Sequence, residues 1–395
     1  MSSVIERRVA QPIAADLPDK MVLLSGPRQC GKTTLVKALV DAQEGRYYSW
    51  DRAPDRLAIQ KRNLDFDRTL WAFDELHKFR RWRAFLKDLT DSFGRERQLM
   101  VTGSARLETY GHGGDSLQGR YLPHHLHPVT YSELCGLPFG VISDIPLLGN
   151  APPARRDLGD LLRRGGFPEP LLAGSDRAAA RWRLAYGARL VEEEVASLEQ
   201  VRELERIELL FDRLSDVAGG LLSINSLRAD LEVAFETARS WIAILERLDA
   251  VFRLPPYGSP RIKAVKKEQK LYFWDWARCS SDGARFENLL ALHLLRAVHW
   301  AADVEGEKLQ LRYWRHRAGR EVDFVILRGR RPWLAVEAKL TESDLAPGLR
   351  YFIERLQPEV AFQVVLDPAR ERRLPDIGGA RVEVVSAARF LANLP

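Results

Sequence analysis

Four short apolar runs punctuate the first 130 residues: KMVLLSG, RYYSWD, TLWAFDE and RQLMVTGS. Each ends in glycine or polar residues and gives way to a stretch whose pattern suits a helix. Runs that are continuously apolar, rather than alternating, belong to strands covered on both faces. The pattern therefore predicts a parallel sheet with crossover helices, an α/β domain. Between residues 136 and 160 the chain turns rich in glycine and proline (GLPFGVISDIPLLGNAPPARRDLGD), which predicts a long connection and places the first domain at 1–145.

From 160 to 250 alternation disappears and leucines recur at three- and four-residue intervals, as in LGDLLRRGG, RLVEEEVASL and RIELLFDRLSDV. That spacing predicts a helical region or lid, assigned to 146–215. SINSLRADLEVAFETARSWIAILERLDAVFRLPPY then reads as helix, turn, helix and the first arm of a β-ribbon. KLYFWDWA supplies the other arm, an order that fits a winged helix over 216–278. From 279 to 395 a helix (RFENLLALHLLRAV), three strands (LQLRYWRHR, REVDFVIL, PWLAVEAKL), a helix near 345–356 and a strand (AFQVVLD) form a separate α/β unit.

Composition adds limits. The 395 residues, 46% of them hydrophobic, suffice for two or three domains with cores of their own. No apolar run approaches the roughly 20 residues that span a bilayer; the best candidate, NLLALHLLRAVHW, is broken by His293, Arg296 and His299. With no export signal at the N-terminus, a cytoplasmic location without membrane attachment is expected. Cys30, Cys135 and Cys279 stand far apart, which argues against a disulfide framework or a zinc knuckle. A net charge of +6 is compatible with a polyanionic partner.

The first candidate chemistry lies at GPRQCGKTT. Gly26, Gly31, Lys32 and Thr33 fulfil G-x-x-x-x-G-K-S/T between the strand MVLLS and the helix TTLVKAL. Glycines let the backbone turn its N–H groups toward an anion, and the helix N-terminus adds partial positive charge. Gly26, Pro27, Arg28, Gln29, Cys30, Gly31, Lys32, Thr33 and Thr34 thus form a candidate cradle for ATP. Lys32 is assigned to the β- and γ-phosphates and the Thr33 hydroxyl to Mg²⁺. An acidic pair ending the third run, Asp74 and Glu75, supplies a second Mg²⁺ contact and a group to orient or deprotonate water. QLMVTGSAR places Thr102 and Ser104 at the same sheet edge, beside the γ-phosphate.

The motifs GPRQCGKTTL, FDELHK, TGSAR, SLQGR and GGFPEP resemble those of bacterial and archaeal AAA-type ATPases. In particular they resemble members fused to a C-terminal domain of unknown function with a restriction-endonuclease-like core. The resemblance runs nearly the full length. It implies that Ser104 or Thr102 senses the γ-phosphate, and that Arg120 or Arg106 acts as an arginine finger, in cis or across a homo-oligomer contact.

A second candidate site lies in REVDFVILRGRRPWLAVEAKL. With a turn centred on Arg330, Asp323 faces Glu337 and Glu321 faces Lys339, all four on one face. Opposed carboxylates are destabilising without compensation, and a divalent cation is one compensator. The spacing has the form of the D…E-x-K signature of restriction-endonuclease-like nucleases. It makes Asp323, Glu337 and the helical Glu287 candidate metal ligands and Lys339 a catalytic lysine. A surface ladder of ion pairs remains the alternative. In the winged-helix segment, RIKAVKK carries Arg261, Lys263, Lys266 and Lys267, candidate phosphate contacts for nucleic acid. Two functional readings follow: an ATPase driving a nuclease-like half on nucleic acid, or a nucleotide-gated switch whose C-terminal half binds protein without chemistry.

Overall fold

The computed structural model describes residues 5–94, 96–103, 117, 119–137, 158–195, 203–258 and 269–395. Packing divides them into two units: Glu6–Val129 with Arg247–Asp249, and the rest of the chain, from Thr130 on. The first boundary thus falls at 129/130, some fifteen residues before the one expected from the glycine- and proline-rich stretch. Thr130 shows why: it opens a short helix through a capping box with Glu133, and that helix packs within the second unit.

The N-terminal unit is a five-stranded parallel sheet. Its strands are β1 (Met21–Ser25), β2 (Arg46–Ser49), β3 (Leu70–Asp74), β4 (Gln98–Thr102) and β5 (Tyr121–His125), in the order β2-β3-β4-β1-β5. β1 and β3 are buried at every position, as their unbroken apolar runs require. The edge strand β5 accommodates Pro123, which a central strand would not. Helices α1 (Ala10–Asp16), α2 (Lys32–Ala42), α3 (Ala53–Lys61) and α4 (Trp82–Phe93) accompany the sheet. α4 turns Trp82, Phe85, Leu86 and Leu89 into a core shared with Tyr48, Trp71 and Phe73. Each of these large side chains contributes about 1.5–3 kcal/mol of transfer free energy. Because every strand runs the same way, the carboxyl ends of β1, β3 and β4 meet at one edge.

The second unit begins helical, as expected. α5 (Tyr131–Leu134), α6 (Leu158–Arg164), α7 (Pro168–Leu172) and α8 (Asp176–Arg189) are followed by a π-helical continuation through Leu190–Val195, then α9 (Leu204–Val217), α10 (Ile224–Asp230) and α11 (Phe235–Arg247). α11 buries Ala238, Trp241, Ile242, Ile244 and Leu245 on one stripe. β6 (Val251–Leu254) then pairs antiparallel with β7 (Lys270–Phe273), the ribbon expected from FRLPPY and KLYFWDWA. Single bridges from Ala218 and Leu221 join the start of β7.

The C-terminal sheet is mixed, in the order β12-β13-β11-β10-β9-β8. It comprises β8 (Leu309–Arg315), β9 (Glu321–Arg328), β10 (Arg331–Lys339), β11 (Val360–Val365), β12 (Arg372–Ile377) and β13 (Ala380–Ser386). β8, β9 and β10 form an antiparallel meander, and β10, β11 and β13 run parallel. The 22-residue α12 (Asp282–Asp303), capped by Ser281, packs on β7, β8 and β10. α13 (Pro347–Leu356) buries Leu349, Phe352 and Ile353 against β9 and β10. Within α12, the fully buried His293 accepts from the Tyr131 amide at 3.1 Å through Nε2, while its Nδ1 lies 2.8 Å from the Leu289 carbonyl. Burial pushes its imidazole down from an ordinary value of 6.5 to about 4.

Candidate functional site: a phosphate loop and a lysine-filled acid cluster

The phosphate loop joins β1 to α2 at the carboxyl edge of the sheet. Gly26 has φ +146° and a Cβ there would sit 2.2 Å from the Leu126 carbonyl oxygen, so only glycine fits between β1 and the segment after β5. Gly31 caps α2 at φ 101°, and Gln29 is also left-handed, at φ 62°. Cys30 is buried, which raises its thiol, and its carbonyl accepts from Arg7 at 2.8 Å. Arg28 is half-buried, whereas Thr33 and Thr34 open to solvent on the first turn of α2.

Lys32 is buried, its ammonium donating to the carbonyls of Gly26 and Pro27, each at 2.7 Å. It is thereby held over the mouth of the loop. The Thr33 hydroxyl donates to Asp74 Oδ2 at 2.9 Å. Asp74, buried at the end of β3, also accepts from the hydroxyls of Tyr47 and Thr102. Tyr47 was not foreseen from the sequence. Burial first, and then the Asp74 carboxylate, push its phenol well up. Glu75 follows in a left-handed conformation (φ 56°), costly for a residue other than glycine, and pairs with Lys78 at 3.2 Å. That turn directs consecutive carboxylates to different places.

One residue assigned to this site is placed differently. Arg120 precedes β5, which pairs with β1 from Met21↔Tyr121, so it stands at the amino edge of the sheet. About 15 Å of strand separates that edge from the loop. Arg120 pairs there with Asp91 at 2.9 Å, and geometry excludes it as a finger on its own chain's phosphates. Ser104 and Arg106 lie outside the described residues, as do Arg261, Lys263, Lys266 and Lys267 of the basic segment.

The donor set suits a triphosphate with its magnesium. It combines a glycine-shaped backbone cradle, a buried ammonium above it, and a hydroxyl and a carboxylate already drawn together at its rim.

The acids of the C-terminal sheet do converge, but around a lysine. Lys270, at the start of β7 and only 3% exposed, places its ammonium 2.6 Å from Glu321, 2.9 Å from Glu287 and 3.2 Å from Asp323. Tyr272, two residues further along β7 and fully buried, donates to Glu287 at 2.8 Å. Burial alone would lower the Lys270 pKa, but the three carboxylates outweigh it and raise it. Glu287 is pushed up to about 7, by burial and then by the charge of Asp323. Glu337 is pushed up to about 8 for the same two reasons. Glu337 pairs with Lys339 at 2.7 Å through one oxygen, while its other oxygen is buried without a hydrogen-bond partner. The pairing of Glu321 with Lys339 is therefore not made; Glu321 turns to Lys270, and Arg315 lies 3.7 Å away. Among the described residues, no group of three or more acidic, histidine or cysteine side chains is arranged to hold a metal ion. This arrangement does not provide the cation site expected of Glu287, Asp323 and Glu337, because an ammonium fills the space between the acids.

With this geometry in view, comparison with known proteins gives a consistent class for the N-terminal unit. Residues 18–135 match a family model described as an AAA domain. Residues 155–280 and 282–386 match two models described as domains of unknown function, DUF8612 and DUF4143. Residues 18–135, which carry the loop, the strand-end carboxylate and the parallel sheet, are thus similar to an AAA domain, and a helical middle and a mixed-sheet C-terminal domain follow. Uncharacterised proteins of Mycobacterium bovis and Mycobacterium tuberculosis are each 27% identical over 329 residues, spanning 79% of this chain and 69% of theirs. An uncharacterised protein of Methanocaldococcus jannaschii is 24% identical over 309 residues, spanning 68% of this chain and 63% of its own. A solved structure of the Thermotoga maritima RuvB Holliday junction branch migration motor aligns at 17% identity with a TM-score of 0.33, over 64% of this chain and 90% of that one. No helix among the described residues is long and apolar enough to cross a membrane.

Proposed function

We propose that this chain binds and hydrolyses ATP and uses the nucleotide state to govern a C-terminal half that engages nucleic acid. The observation that carries the ATPase reading is the contact between Thr33 and Asp74, which unites the two residues a P-loop enzyme uses to hold its metal. Bound Mg²⁺ supplies charge neutralisation of the phosphates. The chain's own groups do the rest. Loop amides and Lys32 bind and orient the triphosphate, Asp74 is fixed by three hydroxyls, and Glu75 is the base that takes a proton from water at its carboxylate. Thr102, already bound to Asp74, links the β4 end to the same carboxylate and so reports on its state.

For the C-terminal half, the helix, bridge, two-helix and ribbon order from α9 to β7 supports a winged helix. The α12, β8, β9, β10, α13, β11 order supports an endonuclease-like sheet. The four basic residues between Arg261 and Lys267 favour a phosphate backbone as partner. A binding role without cleavage is favoured over nuclease action by Lys270, which neutralises the acids a nuclease would give to metal. ATP turnover with and without DNA, at two salt concentrations, tests this reading. Turnover lost in Lys32→Ala and altered by DNA in a salt-sensitive way supports it. Turnover indifferent to DNA, with no salt-sensitive DNA affinity, directs the C-terminal half to a protein partner instead.

A further inference from the structure

Lys270 has three N–H donors, and the structure gives each a carboxylate: Glu287 from α12, and Glu321 and Asp323 from β9. An ammonium on a strand of the ribbon is thus the common centre of acids brought from two other elements. Its distances to the three oxygens, 2.6 to 3.2 Å, are those of hydrogen bonds. Magnesium demands oxygens at about 2.0–2.1 Å and calcium about 2.3–2.6 Å. A divalent ion therefore has no room while the lysine is in place. The cluster is nevertheless not saturated. Glu337, 7% exposed, keeps one buried oxygen without a partner, on the strand that pairs with that of Asp323. Asp323 spends its second oxygen on the Ala338 amide, which fixes its orientation toward the centre. Four acids thus share two lysines, and one acceptor is left over.

We propose that Lys270 is a resident counter-ion standing where a divalent cation would otherwise sit, so that lysine and metal are alternative occupants of one carboxylate cluster. The native chain holds the lysine and excludes the metal; removing the ammonium without removing the acids creates a cation site. Glu287, Asp323 and the spare oxygen of Glu337 are its ligands. The inference concerns the C-terminal unit alone and stands or falls independently of ATP hydrolysis.

The test is Mn²⁺ binding to the full chain without nucleotide, followed by electron paramagnetic resonance of the free ion. The native protein shows no Mn²⁺ site that depends on Asp323. Lys270→Met gains one site at least about 30-fold tighter than anything the native chain offers at these acids. The double variant Lys270→Met with Asp323→Asn loses it again. Should Lys270→Met be unfolded on its own, Mn²⁺ restores its cooperative unfolding transition, and Lys270→Arg folds without the ion. A native site abolished by Asp323→Asn overturns the proposal. So does a folded Lys270→Met that gains no Mn²⁺, or an unfolded one that Mn²⁺ fails to restore.

Discussion

Tyr47 and Thr33, from an edge strand and from the helix after the phosphate loop, both donate to the same oxygen of Asp74, at 2.5 and 2.9 Å. That oxygen is the one turned toward the loop's first helical turn. On the proposed reading, magnesium bound with nucleotide would share this oxygen, so the ion and the Tyr47 hydroxyl would compete for it.

On that competition, removing the Tyr47 hydroxyl is predicted to weaken the chain without nucleotide more than the complex. Tyr47→Phe is predicted to lose about 1.5–3 kcal/mol of stability without ligand, the worth of one hydrogen bond to a charged partner. Where the complex with magnesium and nucleotide does not depend on that bond, affinity is predicted to rise about tenfold or more. Thermal unfolding with and without nucleotide gives both numbers, and a fall in affinity would contradict the exchange.

Arg120 yields a different expectation because it lies at the amino edge of the sheet. Its pair with Asp91 is solvent-exposed, so Arg120→Ala changes stability by less than about 1 kcal/mol. Nucleotide affinity of the dilute chain stays within about twofold of the parent value. A finger acting across a subunit contact would show itself only as turnover that rises with protein concentration in the parent and not in the variant. Loss of affinity at high dilution would contradict the placement.

His293 predicts a pH dependence. Its folded pKa of about 4 lies below the ordinary 6.5, so between those values the unfolded chain binds the extra proton. The contribution to stability is therefore complete above about pH 6.5 and is lost as pH falls toward 4; its size is on the order of 1–3 kcal/mol. His293→Gln should flatten the pH dependence of unfolding free energy over that window relative to the parent. An unchanged slope would show that the imidazole is not kept neutral by its burial between Tyr131 and Leu289.

The phosphate site was legible because its parts are local: strand, loop, lysine and helix fall within some twenty residues, and Asp74 closes a buried run. Tyr47 was not, since nothing in RYYSWD marks which tyrosine points along the sheet edge. The hairpin was read with the right register for an incomplete reason. The turn is the two-residue Gly329–Arg330, which pairs Arg331 with Arg328, and a bulge between Pro332 and Leu334 shifts the ladder so that Val336 meets Phe324. That shift is what carries Glu337 toward Asp323. Lys270 could not be found this way, because it reaches the acids from a ribbon more than fifty residues upstream of Asp323, through tertiary packing alone.

The central claim is that a triphosphate lodges above Lys32, with its metal on Thr33 and Asp74. Calorimetric titration of the full chain with ATP and Mg²⁺ tests it most directly, with Lys32→Ala as control. The account predicts one binding event in the parent chain, weakened at least about 100-fold in Lys32→Ala and dependent on Mg²⁺. No heat in a cooperatively folded parent, or equal affinity in the variant, would contradict it.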